Sequence, residues 1–176
     1  MPSHHCDARV RALCGDALEL TPQALRAHTP LGFTTVLSDL CPATSGSGSL
    51  DATRSAVLAE AAVELALGEH GVAFAGNSDA DDARTQAPPN AGVLLPGGAL
   101  VVKILEGDGG ARQTLQAICK VGFLYAPDAH ALALTPPRAQ LHFAKVAWVR
   151  PKATRSISRE VYLVALGRQR ARGMKA

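Results

Sequence analysis

The chain has 176 residues, which is enough for one domain with a substantial core. Hydrophobic residues make up 47% of the chain and charged residues 19%, a composition that is typical of a globular protein and excludes an intrinsically disordered one. No apolar run reaches the roughly 18 residues of a membrane helix, so we expect no membrane partner. No segment points to a compartment, and mitochondrion, chloroplast, cytoplasm and nucleus all stay open.

The net charge of +3 is distributed unevenly along the chain. From residue 150 onward there are eight Lys or Arg and one acid, a net charge of +7. Residues 1–149 carry ten Lys or Arg and fourteen acids, a net charge of −4. A basic end on a mildly acidic body is typical of a protein that binds a polyanion. An ordinary solvated tail would have the same composition, so charge alone leaves both interpretations open.

The first half of the chain alternates between strand and helix patterns. The segment VRALCGD predicts a short strand that ends at Asp16, and TPQALRAH predicts a helix with a Thr cap and Pro in its first position. The β-branched run Thr34–Leu40 predicts a strand that ends in an acid. The Ala, Leu and Glu content of Leu50–Leu67 predicts a helix, with Asp51 as its N-cap.

The second half continues this alternation. PGGALVVKILEGDGG predicts a turn, a buried strand and a glycine loop, and ARQTLQAICK predicts a helix. LHFAKVAWV and EVYLVAL predict two strands joined as an antiparallel edge hairpin. We therefore expect an α/β fold with a mostly parallel sheet, in a single domain over residues 1–176. Segments rich in Gly, Ala and Pro near 68–92 and 126–140 are expected to be surface insertions.

The cysteines and the N-terminal histidines do not predict a metal site. The four cysteines have no CxxC spacing, and we expect free thiols at Cys6, Cys14, Cys41 and Cys119. His4 and His5 precede Cys6, but no second ligand cluster follows at the spacing of a zinc site. The expected metal content is therefore none.

Three ionisable residues lie at or near strand ends, where open α/β sheets bind ligands: Asp16, Asp39 and Lys103. Lys103 interrupts an apolar strand, and a buried lysine costs several kcal/mol unless it is paired. The alternative is an edge-strand lysine whose ammonium reaches solvent. The glycine-rich segments GSGSLD and EGDGGARQ lack the complete dinucleotide and P-loop patterns, so we interpret them as loops, although amides of the second segment could hold an anion.

The segment RPKATRSISREVYLVALG sets one carboxylate, Glu160, between a basic loop and an apolar strand. Together with LSDLCPATSG and LLPGGALVVKILEG, it resembles the FtsJ-like ribosomal RNA ribose 2′-O-methyltransferases over roughly Val10 to Gly167. The resemblance implies a Rossmann-like sheet and S-adenosyl-L-methionine as cofactor. It also implies a monomer that methylates ribosomal RNA or a ribosomal subunit, with a large-subunit uridine as the target.

The resemblance also implies roles for individual residues. Asp39, Lys103 and Glu160 match three members of the family's Lys-Asp-Lys-Glu tetrad, and Asp39 also lies at the cofactor. Asp16 matches the acid that contacts the adenine. A neutral Lys103 would take the proton of the ribose hydroxyl, which requires a pKa well below the usual value of about 10.4. Burial lowers that pKa, whereas the two carboxylates raise it.

The loop before Glu160 would bind RNA phosphates through Lys152, Arg155 and Arg159. The family's first tetrad lysine and its glycine-rich cofactor loop would lie before Asp16, where this chain has few residues. The resemblance thus predicts an N-terminally truncated sheet with weak affinity for the cofactor. Two interpretations stay open, a methyltransferase given in part and a non-catalytic RNA-binding or ribosome-associated remnant of one.

Overall fold

The structure, a computed structural model, describes residues 10–68, 92–107, 110–121, 142–152, 155 and 157–170. They form four strands, β1 (Phe33–Ser38), β2 (Leu94–Leu105), β3 (Phe143–Val149) and β4 (Glu160–Arg168). The helices are α1 (Pro22–Arg26), α2 (Gly48–Leu67) and α3 (Ala111–Val121), with one 3₁₀ turn at Ala17–Glu19. Apart from Gly68 and Gly92, the two segments predicted as insertions lie outside the described residues.

The sheet of the described residues has the order β1-β2-β4-β3. β1 pairs with β2 in parallel, and β4 runs antiparallel to both of its neighbours. β1, β2 and β3 therefore point the same way, and β3 with β4 forms the predicted hairpin at one edge. The α/β class is confirmed, in a mixed sheet. This topology brings the ends of β1, β2 and β3 and the start of β4 to one edge.

The core lies between one face of the sheet and the helices α2 and α3. Alternate residues of β2 and β4 point into it because side chains alternate across a strand. Ala59, Ala62, Val63 and Ala66 of α2 pack there with small volumes, so the helix lies close to the sheet. The next residues on each strand, Lys103 among them, point to the opposite face.

The strand predicted before Asp16 is wrong. Residues Val10 to Gly15 form no strand, and Val10 and Leu13 are more than half exposed. An alternating apolar pattern forms a strand only where it meets a pairing partner and a core, and this segment has neither among the described residues. The predicted helix after it is confirmed, because Thr21 Oγ1 accepts the amide of Ala24 at 3.2 Å and Pro22 occupies the first helical position.

The predicted cap of the long helix is also wrong. α2 begins at Gly48, so four of the six residues of the GSGSLD segment are helical rather than loop, and Ser47 occupies the N-cap position. Asp51 lies in the first turn and is 2% exposed. Its carboxylate turns back to the preceding loop, where Ser45 donates from both its amide and its hydroxyl. A negative charge is favourable at this end of a helix.

Candidate active site

Asp39, Lys103 and Glu160 meet at the edge where β1 and β2 end and β4 begins. Lys103 Nζ lies 2.7 Å from Asp39 Oδ1 and 3.8 Å from Glu160 Oε1. The register explains the meeting, since Ser38, just before Asp39, pairs with Val102, and Glu160 pairs with Leu105. The structure thus brings together the three residues that the sequence predicts for the reaction centre.

Lys103 is a buried cation held by two more exposed carboxylates. Its side chain is 7% exposed, whereas those of Asp39 and Glu160 are 80% and 39% exposed. β2 lies between β1 and β4, so the edge-strand alternative for Lys103 is excluded. Burial pushes the pKa of Lys103 down, but the hydrogen bond and charge of Asp39, with the charges of Cys41 and Glu160, raise it overall. In this arrangement Lys103 is an ammonium at neutral pH.

A groove of about 940 Å³ runs beside this cluster and reaches it through Ser38 and Asp39. Its walls are the Ala17–Gln23 segment, the end of β1 and the second half of α2, and most of its surface is apolar. The volume suits a nucleoside-sized ligand. Ser38 Oγ is buried and has no hydrogen-bond partner among the described residues. It is a polar atom in the groove wall that a ligand or water could satisfy.

Asp16 lies apart from the three clustered residues. Its carboxylate accepts the amide of Leu18 at 2.9 Å and caps the 3₁₀ turn that forms one wall of the groove. Asp16 itself is exposed, so its predicted contact with a cofactor adenine is compatible with its position beside the groove.

The four cations of the basic loop, residues 150–159, fall into two groups. Arg150 Nη2 lies 2.8 Å from Glu106 Oε2, and Arg150 also donates to the Ser158 carbonyl. Arg159 Nη1 donates to the Gly48 carbonyl at 2.6 Å. The cations inside the loop, Lys152 and Arg155, are exposed. Within the described part of the chain, neither of these two side chains has a hydrogen bond or an ion pair.

Three groups of residues near this edge were not identified from the sequence. Glu106, just after β2, forms ion pairs with both Arg112 and Arg150. The Arg112 guanidinium lies 5.0 Å from the centroid of the Trp148 ring, a cation–π contact. Asp51 was identified only as a cap. The predicted order of strands and helices indicates that these residues lie near one edge of the sheet. It does not indicate which of them form contacts with one another.

Comparisons with known proteins match this chain to one family. The FtsJ-like methyltransferase family matches residues 1–127. A protein of Sorangium cellulosum (strain So ce56) named ribosomal RNA large subunit methyltransferase E is 31% identical over 159 residues, 89% of this chain and 51% of that protein. A protein of the same name from Desulfatibacillum aliphaticivorans is 30% identical over 150 residues, 85% of this chain and 50% of its own length. The chain thus spans about half the length of these relatives.

Three further findings concern the described residues only. They contain no cluster of three or more His, Cys, Asp or Glu that could hold a metal ion. None of their helices combines the length and the apolar character that crossing a membrane requires. Cys14, Cys41 and Cys119 are free thiols, as predicted, and burial raises the pKa of Cys119 to about 12.

Proposed function

The chain belongs to the FtsJ-like methyltransferase family, and on this premise we propose that it methylates a ribose 2′-hydroxyl of large-subunit ribosomal RNA, using S-adenosyl-L-methionine. The observation that carries the proposal is the cluster of Lys103, Asp39 and Glu160 at the strand ends, beside a groove. The names of the relatives support the RNA substrate. We also propose that the target nucleotide is a uridine and that the partner is a ribosomal subunit. The protein is proposed to act as a monomer.

The groove fits the cofactor in size and chemistry. Its volume of about 940 Å³ accommodates a nucleoside with an amino-acid arm, and its apolar walls suit an adenine ring. Asp39 and Ser38 supply polar groups at the end nearest Lys103. S-adenosyl-L-methionine supplies an electrophilic methyl group when bound. Asp39 at one end of the groove and Asp16 beside its wall are the residues that we assign to it.

Lys103 controls the proton of the attacking hydroxyl. A ribose hydroxyl is a weak nucleophile, and it must lose its proton as it attacks. Lys103 Nζ is the group that we assign as acceptor, and it can act only in its neutral form. Because the pKa of Lys103 is raised, this form is scarce at neutral pH and increases about tenfold with each pH unit. Asp39 and Glu160 fix the direction in which Nζ points.

The exposed cations of the basic loop are assigned to RNA phosphates. Lys152 and Arg155 lie in the loop that leads to Glu160, so a bound backbone would lie close to the reaction centre. Neither has an ion pair within the described residues, which leaves both cations available for a phosphate. Phosphate contacts release counterions and make binding salt-dependent.

A second candidate function is RNA binding without methyl transfer. It is favoured by one observation, that Lys152 and Arg155 are exposed and can bind phosphate whether or not a cofactor is bound. Such a protein would bind ribosomal RNA with the same salt dependence, and it would transfer no methyl group.

Single-turnover transfer of labelled methyl from S-adenosyl-L-methionine to unmodified large-subunit RNA tests the proposal. Digestion of the product to nucleosides distinguishes a ribose methyl from a base methyl. We expect transfer by the wild type and none by Lys103→Ala, with Lys145→Ala, an exposed lysine on β3, as the matched control. Lys103→Arg is expected to fail almost as completely, because a guanidinium cannot accept a proton at working pH.

Three outcomes would contradict these assignments. Substantial transfer by Lys103→Arg would reject Lys103 as the proton acceptor and leave it an electrostatic role. Methylation of a base would reject the ribose substrate. RNA binding by the wild type without transfer would establish the second candidate function.

A further inference from the structure

Arg159, expected from the sequence to bind RNA phosphate, is already engaged with the protein. Its Nη1 donates to the Gly48 carbonyl at 2.6 Å, and its Nη2 lies 3.9 Å from Asp51 Oδ2. The fit is close, because a Cβ atom on Gly48 would lie 2.8 Å from Arg159 Nη1. The guanidinium therefore reaches from the start of β4 to the first turn of α2.

Asp51 holds a second segment in the same place. Its Oδ1 accepts from the Ser45 amide at 2.7 Å and from Ser45 Oγ at 2.8 Å, while Oδ2 faces Arg159. Hydrogen bonds from Ser45, joined by the charge of Arg159, lower the pKa of Asp51, although burial acts in the opposite direction. Asp51 is therefore a carboxylate at neutral pH and can hold both partners.

These contacts connect the two chain segments that carry the reactive carboxylates. Ser45 lies in the loop that follows Asp39, and Arg159 immediately precedes Glu160. The Arg159 carbonyl also accepts the amide of Glu106 at 2.8 Å, which fixes the start of β4 to the end of β2. The two carboxylates that contact Lys103 are thus adjacent in sequence to one network, that of Asp51 with Ser45 and Arg159.

We propose that Arg159 and Asp51 are positioning residues, which hold Asp39 and Glu160 at their distances from Lys103. Neither is assigned to touch the reacting atoms or the RNA. The inference rests on the proposed function for its effect on turnover, but its geometric part concerns the protein alone. It also gives the cations of the basic loop different roles. Arg159 holds the start of β4 in place, whereas Lys152 and Arg155 contact phosphate.

Four variants separate positioning from phosphate binding: Arg159→Ala, Arg159→Lys, a Lys152→Ala/Arg155→Ala double variant, and Arg54→Ala as a matched control on the exposed face of α2. We expect Arg159→Ala to lower kcat on the order of tenfold or more, with KM for RNA and the salt slope of RNA binding near wild type. The double variant should instead lower affinity and salt slope. Arg159→Lys should restore only part of kcat, because an ammonium has no planar fork.

A second measurement needs no activity. The pKa of the Lys103 ammonium, followed by ¹⁵N NMR, should fall in Arg159→Ala, because the carboxylate of Glu160 moves away from it. Asp51→Asn should lower it in the same direction, and the doubly substituted protein should differ little from either single variant, since both substitutions break one network. Arg159→Gln serves if the alanine variant does not fold.

The outcomes distinguish this inference from the proposed function. A salt slope reduced in Arg159→Ala as in the double variant, with kcat and the Lys103 pKa unchanged, would overturn the positioning role and restore phosphate binding. Absence of methyl transfer in the wild type would reject the proposed function alone. The NMR titration would then still decide whether Arg159 and Asp51 hold Glu160 beside Lys103.

Discussion

Arg168, at the end of β4, is 3% exposed and is the residue whose replacement we expect to destabilise the fold most clearly. Its guanidinium donates to three backbone carbonyls, Ala66 at 3.1 Å, Leu67 at 3.0 Å and Leu94. Ala66 and Leu67 are the last two residues of α2, so a cation lies at the negative end of that helix. Arg168→Met keeps most of the side-chain length and removes the donors.

The expected loss follows from two opposing contributions. Hydrogen bonds to a charged group contribute about 2 kcal/mol each, or roughly 6 kcal/mol for three. Burial, with a smaller repulsion from Arg26, lowers the pKa of Arg168 to about 10, and this desolvation offsets about 3 kcal/mol. Arg168→Met should therefore lower the free energy of unfolding by about 3 kcal/mol. Tm should fall by roughly 6–12 °C for a chain of this length.

Urea unfolding followed by fluorescence measures this change, since the single tryptophan, Trp148, lies on β3 beside β4. Arg54→Met, on the exposed side of α2, is the matched control and should stay within about 0.5 kcal/mol of wild type. An equally small change in Arg168→Met would show that the guanidinium contributes no net stability there. The guanidinium would then not be the group that holds β4 to the end of α2.

Three further predictions concern pH and salt. Burial, with the charge of Arg168, lowers the pKa of His142, so its contribution to stability is complete above about pH 6.5 and is lost as pH falls below that value; His142→Gln should flatten the decline in unfolding free energy between pH 7 and 5. Methyl transfer should rise about tenfold per pH unit from pH 7 to 9 if neutral Lys103 accepts the proton, and a flat profile would contradict this. Lys152→Ala/Arg155→Ala should reduce the salt slope of RNA binding by about 1.4, and an unchanged slope in a filter-binding titration would show that the two cations do not contact phosphate.

The elements that the sequence predicted correctly are those with strong local patterns. The hairpin of β3 and β4 follows from two apolar runs, and α1 follows from a Thr–Pro start. Asp39 and Lys103 were candidates because they lie at or near strand ends, where open α/β sheets bind ligands. Glu160, and the grouping of all three residues, came from the resemblance to the FtsJ-like methyltransferases.

The contacts that the sequence did not predict join residues that are far apart in the chain. Arg159 reaches Gly48 across 111 positions, and Arg168 reaches Leu67 across 101. A pattern of charges along the chain shows a basic segment. It does not show which cations donate hydrogen bonds to the carbonyls at the ends of a helix. The strand predicted over Val10–Asp16 failed for the related reason that a local pattern cannot supply a pairing partner.

Glu160, between a basic loop and a buried strand, lies where its carboxylate can hold the ammonium of Lys103 in place. Asp39 and Glu160 raise the pKa of Lys103, and this acts against the neutral lysine that the proposed proton acceptance needs. If the two carboxylates served only to adjust that pKa, an apolar residue in either position would favour the reaction more. Their physical contribution must therefore be geometric, since a buried ammonium on a flexible four-carbon stem has no fixed direction until acceptors on two sides define it. Without Glu160, Lys103 would have a carboxylate on one side alone.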